Sequence, residues 1–346
     1  MARHQANSLQ EFELIRSLED RFARRAPGLV QGIGDDAAVI ETSAQAWWHL
    51  TTDLLAEGVH FDLRSAALES VGYRAAMANL SDIAAMGAVP RYLLISLAIP
   101  QTMKRPHIHE LYRGLMKACR VYDVALIGGD TSASKAGLFL SITLVGTTNA
   151  HRALFRHGAK VGDRIYVSGT LGDSLAGLKL LMSDTTPHPL AKQKTTLLRS
   201  HRRFLIRRHS HPTARVAEGR WLNEKQLASA AIDLSDGLSG DLRRLCEASR
   251  VGAEVELEKL PISPACRAYA SAIEVLPIQL ALAGGEDYEL LFTASPRDCD
   301  TIERQARTRG YRMTRIGTIR PHRFGIQMTS DGRTQPMPAT SYEHFR

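Results

Sequence analysis

Asn79-Leu80-Ser81-Asp82-Ile83-Ala84-Ala85-Met86-Gly87 is the stretch from which the fold is read most directly. Gly87, with Pro90 beyond it, stops a helix predicted over about residues 66–86. Val71, Ala75, Ala78 and Asp82 share one stripe of that helix. A carboxylate on a largely apolar stripe is costly unless paired. Either Asp82 and Asn79, one turn earlier, address one ligand, or the helix rolls so that Asp82 meets water.

Upstream, a Ser8/Glu11 capping box opens an amphipathic helix. Residues 31–39 read as a glycine-acid loop entering a strand, and 47–52 as a strand ending at Asp53. Downstream come a strand (92–99), a helix (107–122), a strand (124–127), a Gly128-Gly129-Asp130 turn and a strand (138–146). Residues 147–162 read as a polar linker. A second unit follows: strand 164–167, helix 174–182, helices flanking Pro212, strand 229–234, helix 238–248, and strands 254–257 and 288–293. This predicts an α/β fold with mixed α+β sheets in two domains, 1–150 and 151–346, as 346 residues at about 150 per domain suggest.

Composition narrows the function. With 44% hydrophobic and 23% charged residues, disorder, collagen and coiled coil are excluded for the whole chain. No apolar run reaches the roughly 18 residues of a membrane helix, and residues 1–11 lack a signal-peptide core. Cys119, Cys246, Cys266 and Cys299 are dispersed, as expected of reduced thiols in a cytoplasmic protein. The net charge of +8 is local. Lys192, Lys194, Arg199, Arg202, Arg203, Arg207, Arg208 and Arg215 lie in one stretch without an acid, and the other 36 basic residues balance the 36 acids. The patch reads first as a solvated helix face, with a small anion or nucleic acid as alternatives. Phe204 is its lone aromatic, which gives nucleic-acid bases no stacking platform.

Aspartates at strand ends and turns carry the chemistry. Asp35-Asp36, Asp53, Asp82, Asp130 and Asp233-Leu234-Ser235-Asp236 form five clusters. One cluster alone is ordinary turn chemistry. Seven such carboxylates gathered together repel one another unless hard cations such as Mg²⁺ intervene. Familiar nucleotide signatures fail. Gly172 and Gly177 have P-loop spacing without the Lys-Ser/Thr ending, and Asp35-Asp36 would repel a dinucleotide from the Gly32-Ile33-Gly34 loop. In Gly284-Gly285-Glu286-Asp287-Tyr288-Glu289, strand alternation predicts Glu286 and Tyr288 on one face and Asp287 and Glu289 on the other, with the acids either liganding or solvated. His60 and Arg156 are singletons.

Together, Gly32-Ile33-Gly34-Asp35-Asp36-Ala37, Thr52-Asp53, the 79–87 stretch, Gly128-Gly129-Asp130-Thr131, Asp233-Leu234-Ser235-Asp236-Gly237 and Gly284-Gly285-Glu286-Asp287-Tyr288-Glu289-Leu290 resemble the thiamine-monophosphate kinase family, in the superfamily of aminoimidazole ribonucleotide synthetase. The resemblance spans about residues 10–345. It implies a two-domain fold of that type, a homodimer paired through its N-terminal domains, and ATP-dependent phosphorylation of thiamine monophosphate to thiamine diphosphate. It also implies that Asp36, Thr51, Thr52, Asp53, Asp82, Asp130, Asp233 and Asp236 bind several Mg²⁺ ions. Gly129, Arg156 and Ser235, with Tyr112, would touch ATP, and His60 and Glu286 would touch the thiamine moiety. Where the family carries an aromatic against the substrate this chain has Ala339, leaving Tyr342 or Phe345 to substitute. Selenophosphate synthetase and hydrogenase-maturation relatives fit less well, for want of an early and a C-terminal cysteine. Neither a general base nor a phosphoenzyme is expected. Asp53, Asp82 and Asp130 are expected to hold the bridging metals, and Arg207 and Arg208 to attract anionic substrates. A metal-dependent phosphohydrolase is the competing enzyme reading.

Overall fold

Two mixed sheets organise the chain. The computed structural model describes residues 11–23, 26–185 and 197–344. Ser8 of the capping box, Lys192, Lys194 and Phe345 lie outside the described residues. The first sheet has the order β1-β2-β3-β6-β4-β5, with β1 at Leu29–Gln31, β2 at Ala38–Ser43, β3 at Ala46–Ala56, β4 at Val89–Pro100, β5 at Ala125–Ser134 and β6 at Phe139–Asn149. Its neighbours are antiparallel except β4 and β5. That parallel pair needs a crossover, supplied by helix α3 (Arg105–Val121). The second sheet has the order β13-β12-β9-β11-β7-β10-β8, built from β7 (Arg164–Ser168), β8 (Ala230–Leu234), β9 (Val251–Glu256), β10 (Glu289–Ala294), β11 (Met313–Pro321), β12 (Ile326–Ser330) and β13 (Arg333–Pro336).

Helix α2 (Leu68–Ala85) is the pivot. One hydrophobic cluster joins its Val71, Ala75, Met77 and Leu80 to Leu93, Ile95 and Ile142 of the first sheet and to Phe292 and Leu290 of the second. The helix therefore has apolar neighbours on both sides, which fits its nearly continuous small and apolar sequence. Against α3 it packs at glycine. A Cβ on Gly72 would lie 2.0 Å from the Leu111 carbonyl oxygen, and one on Gly114 1.8 Å from that of Glu69. Both contacts are with backbone, so neither can swing aside. Gly114→Ala is expected to lower unfolding free energy in urea by about 3 kcal/mol.

His49 marks the core face of β3. Its Nε2 pairs with Thr148 Oγ1 at 2.8 Å, and burial lowers its pKa from 6.5 to about 4. The native state keeps this ring neutral while the unfolded chain takes up a proton below pH 6.5. The stability it contributes is therefore present above pH 6.5 and lost as pH falls toward 4, by at most about 3 kcal/mol. Urea midpoints should fall between pH 7 and 4.5, and His49→Gln should flatten part of that slope.

The structure departs from the sequence reading in five places, the first being that β3 runs on to Ala56, so Asp53 lies inside the strand and not at its end. Gly128-Gly129-Asp130 is no turn: β5 runs through it, pairing Gly129 with Ile95 and Asp130 with Ser96. Its glycine allows a close approach, since a Cβ on Gly129 would lie 1.8 Å from the Ile95 carbonyl oxygen. The 147–162 linker is partly strand, because β6 extends to Asn149. Helices α8 (Pro264–Ala272) and α9 (Pro277–Ala283) form where no element was read, each opened by proline in its first turn. Glu286 and Tyr288 do not lie in a strand as expected, although Glu286 still faces Arg74 while Asp287 and Glu289 face the opposite side. The φ values of 61° and 50° at Glu286 and Tyr288 turn the chain, and β10 starts only at Glu289.

Candidate active site

The acids of the first and second sheets meet across α2. On β3, period-two alternation turns Thr51 and Asp53 toward the helix and Thr52 away from it. Asp82, near the C-terminal end of α2, accepts a hydrogen bond from the Thr51 hydroxyl. Asp233 in β8 accepts one from Ser81 at 2.7 Å, joining residues 152 positions apart. Asp36 enters from the loop before β2. Asp236, just past β8, pairs at 2.5 Å with Arg244 on α7 (Leu238–Ser249). Carboxylate oxygens of Asp36, Asp82 and Asp233 all lie within 4.8 Å of one another.

This concentration of like charge sets the proton affinities. Burial, reinforced by Asp236 and Asp36, raises Asp53 to about 6. Burial, then Asp53, Asp233 and Asp36, hold Asp82 well above the usual carboxylate range. Asp233 is raised in the same way, by burial and then by Asp36. Such a set must hold protons or a cation. One oxygen of Asp36, Oδ2, is buried without a hydrogen-bond partner. An orphaned carboxylate oxygen in an all-oxygen donor set fits a hard divalent ion such as Mg²⁺.

Arg156 borders the acids. Its guanidinium holds Asp36 Oδ1 through Nε at 3.1 Å and a terminal nitrogen at 2.5 Å, and its backbone N–H donates to Asp35 at 3.1 Å. Burial alone would lower its pKa, but Asp36 and Asp35 overcome that and raise it. Beyond Asp236, the backbone carbonyl of Ser235 accepts the Glu286 N–H at 2.8 Å.

Glu286 heads a second cluster beside the first. It is ion-paired with Arg74, whose side chain is 3% exposed, and lies 3.4 Å from His209. Burial pushes the Glu286 carboxyl up, but Arg74 and His209 outweigh it and hold the group below its ordinary value. His60 accepts the Ala56 N–H on Nδ1 at 3.0 Å, leaving Nε2 as its donor, and feels Glu286 electrostatically. Its ring is 4.9 Å from that of His344, which is 5.0 Å from Tyr342. Ala339 is exposed, while the backbone N–H of Tyr342 donates to the Asp236 carbonyl. The C-terminal aromatics therefore reach this cluster through Tyr342 and His344.

The other acids of this segment are buried. Asp287 accepts the N–H groups of Gly172 and Ser174 at 2.6 and 3.0 Å. Glu289 accepts Arg208 at 2.8 Å and Arg215 at 2.5 Å. This corrects the solvated-face reading of the basic patch for Arg208 and Arg215, and Arg208 is committed to these acids rather than to incoming substrate. The two arginines flank the end of α5 (Arg199–Ser210) and cross-link it to the segment after Gly285.

Four expected site residues lie elsewhere in the protomer. Tyr112, Gly129 and Asp130 line a cleft of about 370 Å³ at β5. Two strands separate β5 from β3, a span of roughly 14 Å. Ladder pairing puts Asp130 and Ser96 on the open face of the sheet, opposite Asp53. Thr52 is on that open face too, its hydroxyl donating to the Ile142 carbonyl at 2.9 Å. Asp130 thus does not join Asp53 and Asp82 within one chain. Sequence reasoning also missed Arg74, His209 and Arg244. Arg74 had a signal, because it lies four residues before Ala78 on the stripe ending at Asp82. His209 had none.

Comparison with known proteins accounts for both halves. Residues 34–148 match the AIR synthase related protein N-terminal domain, and 160–328 the corresponding C-terminal domain. Thiamine-monophosphate kinase of Aquifex aeolicus is 41% identical over 288 residues, 82% of this chain and 86% of that protein. The Salmonella typhimurium enzyme of the same name is 37% identical over 97% of this chain and 98% of its own. A solved structure described as AaThiL complexed with AMPPCP and TMP aligns with a TM-score of 0.82 at 36% identity, over 97% of both chains. Identity at this level, sustained from one end of the polypeptide to the other and matched by the course of the backbone, shows that the chain belongs to the thiamine-monophosphate kinase family.

Proposed function

We propose that the protein transfers the γ-phosphoryl group of ATP to thiamine monophosphate, yielding thiamine diphosphate by direct in-line displacement. The observation that carries this reading is the meeting of Asp36, Asp82 and Asp233, from three distant segments, within 4.8 Å. The acceptor is a phosphate monoester whose second pKa is about 6, so it is largely dianionic at neutral pH and needs no general base. No step calls for a phosphorylated side chain.

Asp36, Asp53, Asp82, Asp233 and Asp236, with Thr51, would hold several Mg²⁺ ions. Such ions neutralise phosphate charge and support in-line transfer when bound. Arg156 and Ser235 border the acids and would contact ATP. Glu286, kept ionised by Arg74, offers a negative charge to the cationic thiazolium ring, and His60 offers its Nε2–H. Tyr342 takes the place of the aromatic that Ala339 lacks. Positioning and electrostatics would then supply the rate enhancement.

The reading extends to assembly and place of action. Residues 1–150 would form the ATP-, Mg²⁺- and dimer-forming part, and 151–346 would complete the site in the cytoplasm. Trp48, Leu54 and Tyr92 leave 40%, 58% and 42% of their surface uncovered on the open face of the first sheet, which supports a homodimer paired there. Asp130 and Thr52 project from that same face, so a second copy is what they would meet. Leu54→Lys is expected to shift the sedimenting species from dimer to monomer. Among the described residues, no helix is long and apolar enough to cross a membrane.

An assay with γ-labelled ATP and thiamine monophosphate tests the chemistry. Label recovered in thiamine diphosphate supports the kinase reading. Label released only as inorganic phosphate overturns it in favour of a phosphohydrolase.

A further inference from the structure

Helix α5 has two faces with different duties. Its inner face sends Arg208 to Glu289 and His209 toward Glu286. Its outer face carries Arg199, Arg203 and Arg207 at intervals of four, all exposed. No carboxylate of the described residues lies within ion-pair distance of these three, whereas the neighbouring Arg202 is paired with Asp184. Like charges four apart on a helix repel.

Position adds to the imbalance. The first turn of α5 contains no acid and two arginines, Arg199 and Arg202. The positive end of the helix dipole lies there, so cations in that turn are unfavourable and an anion is favoured. These arginines also share one open surface along the helix. Arg199, Arg202, Arg203 and Arg207, with Ile206 and His211, line a cleft of about 530 Å³. Tyr73 of α2 stands at its edge, its ring 4.9 Å from that of His211. Burial and the nearby Lys117 lower the His211 pKa, so the positive charge of the cleft comes from the arginines.

The geometry points to a second, non-catalytic binding site on this face for a small oligophosphate anion, held by Arg199, Arg203 and Arg207. Planar guanidinium forks suit phosphate oxygens. From Arg199 to Arg207 the stripe rises about 12 Å, the length of a short oligophosphate and well below that of a nucleic-acid footprint. Because the same helix holds Glu289 and approaches Glu286 from its other face, an anion bound here acts on a helix already tied to the proposed substrate site.

Calorimetric titration of the full chain with inorganic triphosphate tests this. It is done in metal-free buffer, where the acid cluster repels polyanions. One triphosphate should bind per chain, more weakly at higher salt. R199Q/R203Q/R207Q should weaken it at least tenfold while melting no lower than the parent protein. Should that variant fail to fold, Arg203→Lys, which keeps the charge and loses the fork, should still weaken binding severalfold. Absence of binding at millimolar triphosphate, or equal affinity in the variants, overturns the proposal. So does a single-stranded RNA 20-mer that binds at this face and is not displaced by triphosphate, because the site would then serve nucleic acid.

Discussion

Asp82→Asn is expected to lower the turnover of thiamine monophosphate by about a hundred- to a thousandfold, the cost of removing one preorganised electrostatic group from a reacting phosphate. The substitution keeps shape and volume, and the Thr51 hydroxyl can still donate to the remaining carbonyl oxygen. It removes one negative charge from a group crowded by Asp53, Asp233 and Asp36. In the absence of metal the variant should therefore be at least as stable as the parent, since a self-repelling charge has gone. Lost activity with retained or raised melting temperature separates a metal-holding role from a structural one. Full turnover in a folded Asp82→Asn protein would remove the acid cluster from the mechanism.

Arg74→Met is expected to destabilise the protein by about 3 kcal/mol, because breaking a buried ion pair strands its partner. The side chain of Arg74 is 3% exposed and that of Glu286 29%, and the pair ties α2 to a loop 212 residues away. Without the guanidinium, burial dominates at Glu286 and its carboxyl moves upward. Stability should then fall further as pH rises through the new value, the reverse of the trend expected for His49. In Arg74→Met/Glu286→Gln most of the lost stability should return, since no buried charge is left unpaired. KM for thiamine monophosphate should stay high in the double variant. Recovery of both stability and KM would mean that Glu286 serves only the fold.

Much of this arrangement was legible in local sequence. Helices and strands around the 79–87 stretch follow apolar periodicity, and the clustered aspartates stood out because turn chemistry alone does not require five such clusters, although Asp53 and Asp130 lie within strands rather than at their ends. What was lost depends on distance along the chain. The strand order that takes Asp130 to the far side of the sheet from Asp53 is written in no window of ten residues. Gly128-Gly129 looked like a turn because glycine permits turns, but here it permits a strand to approach Ile95. A run of charge shows composition and not burial, so nothing near Arg208 and Arg215 in sequence marks them as buried ion-pair partners. Their partner, Glu289, lies 81 and 74 residues away.

Those long spans bear on how the protein is made. Ser81 must wait for Asp233, and Arg74 for Glu286, so a growing polypeptide leaves the ribosome with its early acids and a buried-type arginine still unmatched. A truncated product that stops before Glu286 would carry the family's glycine-acid loop without the means to close it. The acid cluster can therefore close only once residue 233 has joined residues 36 and 82.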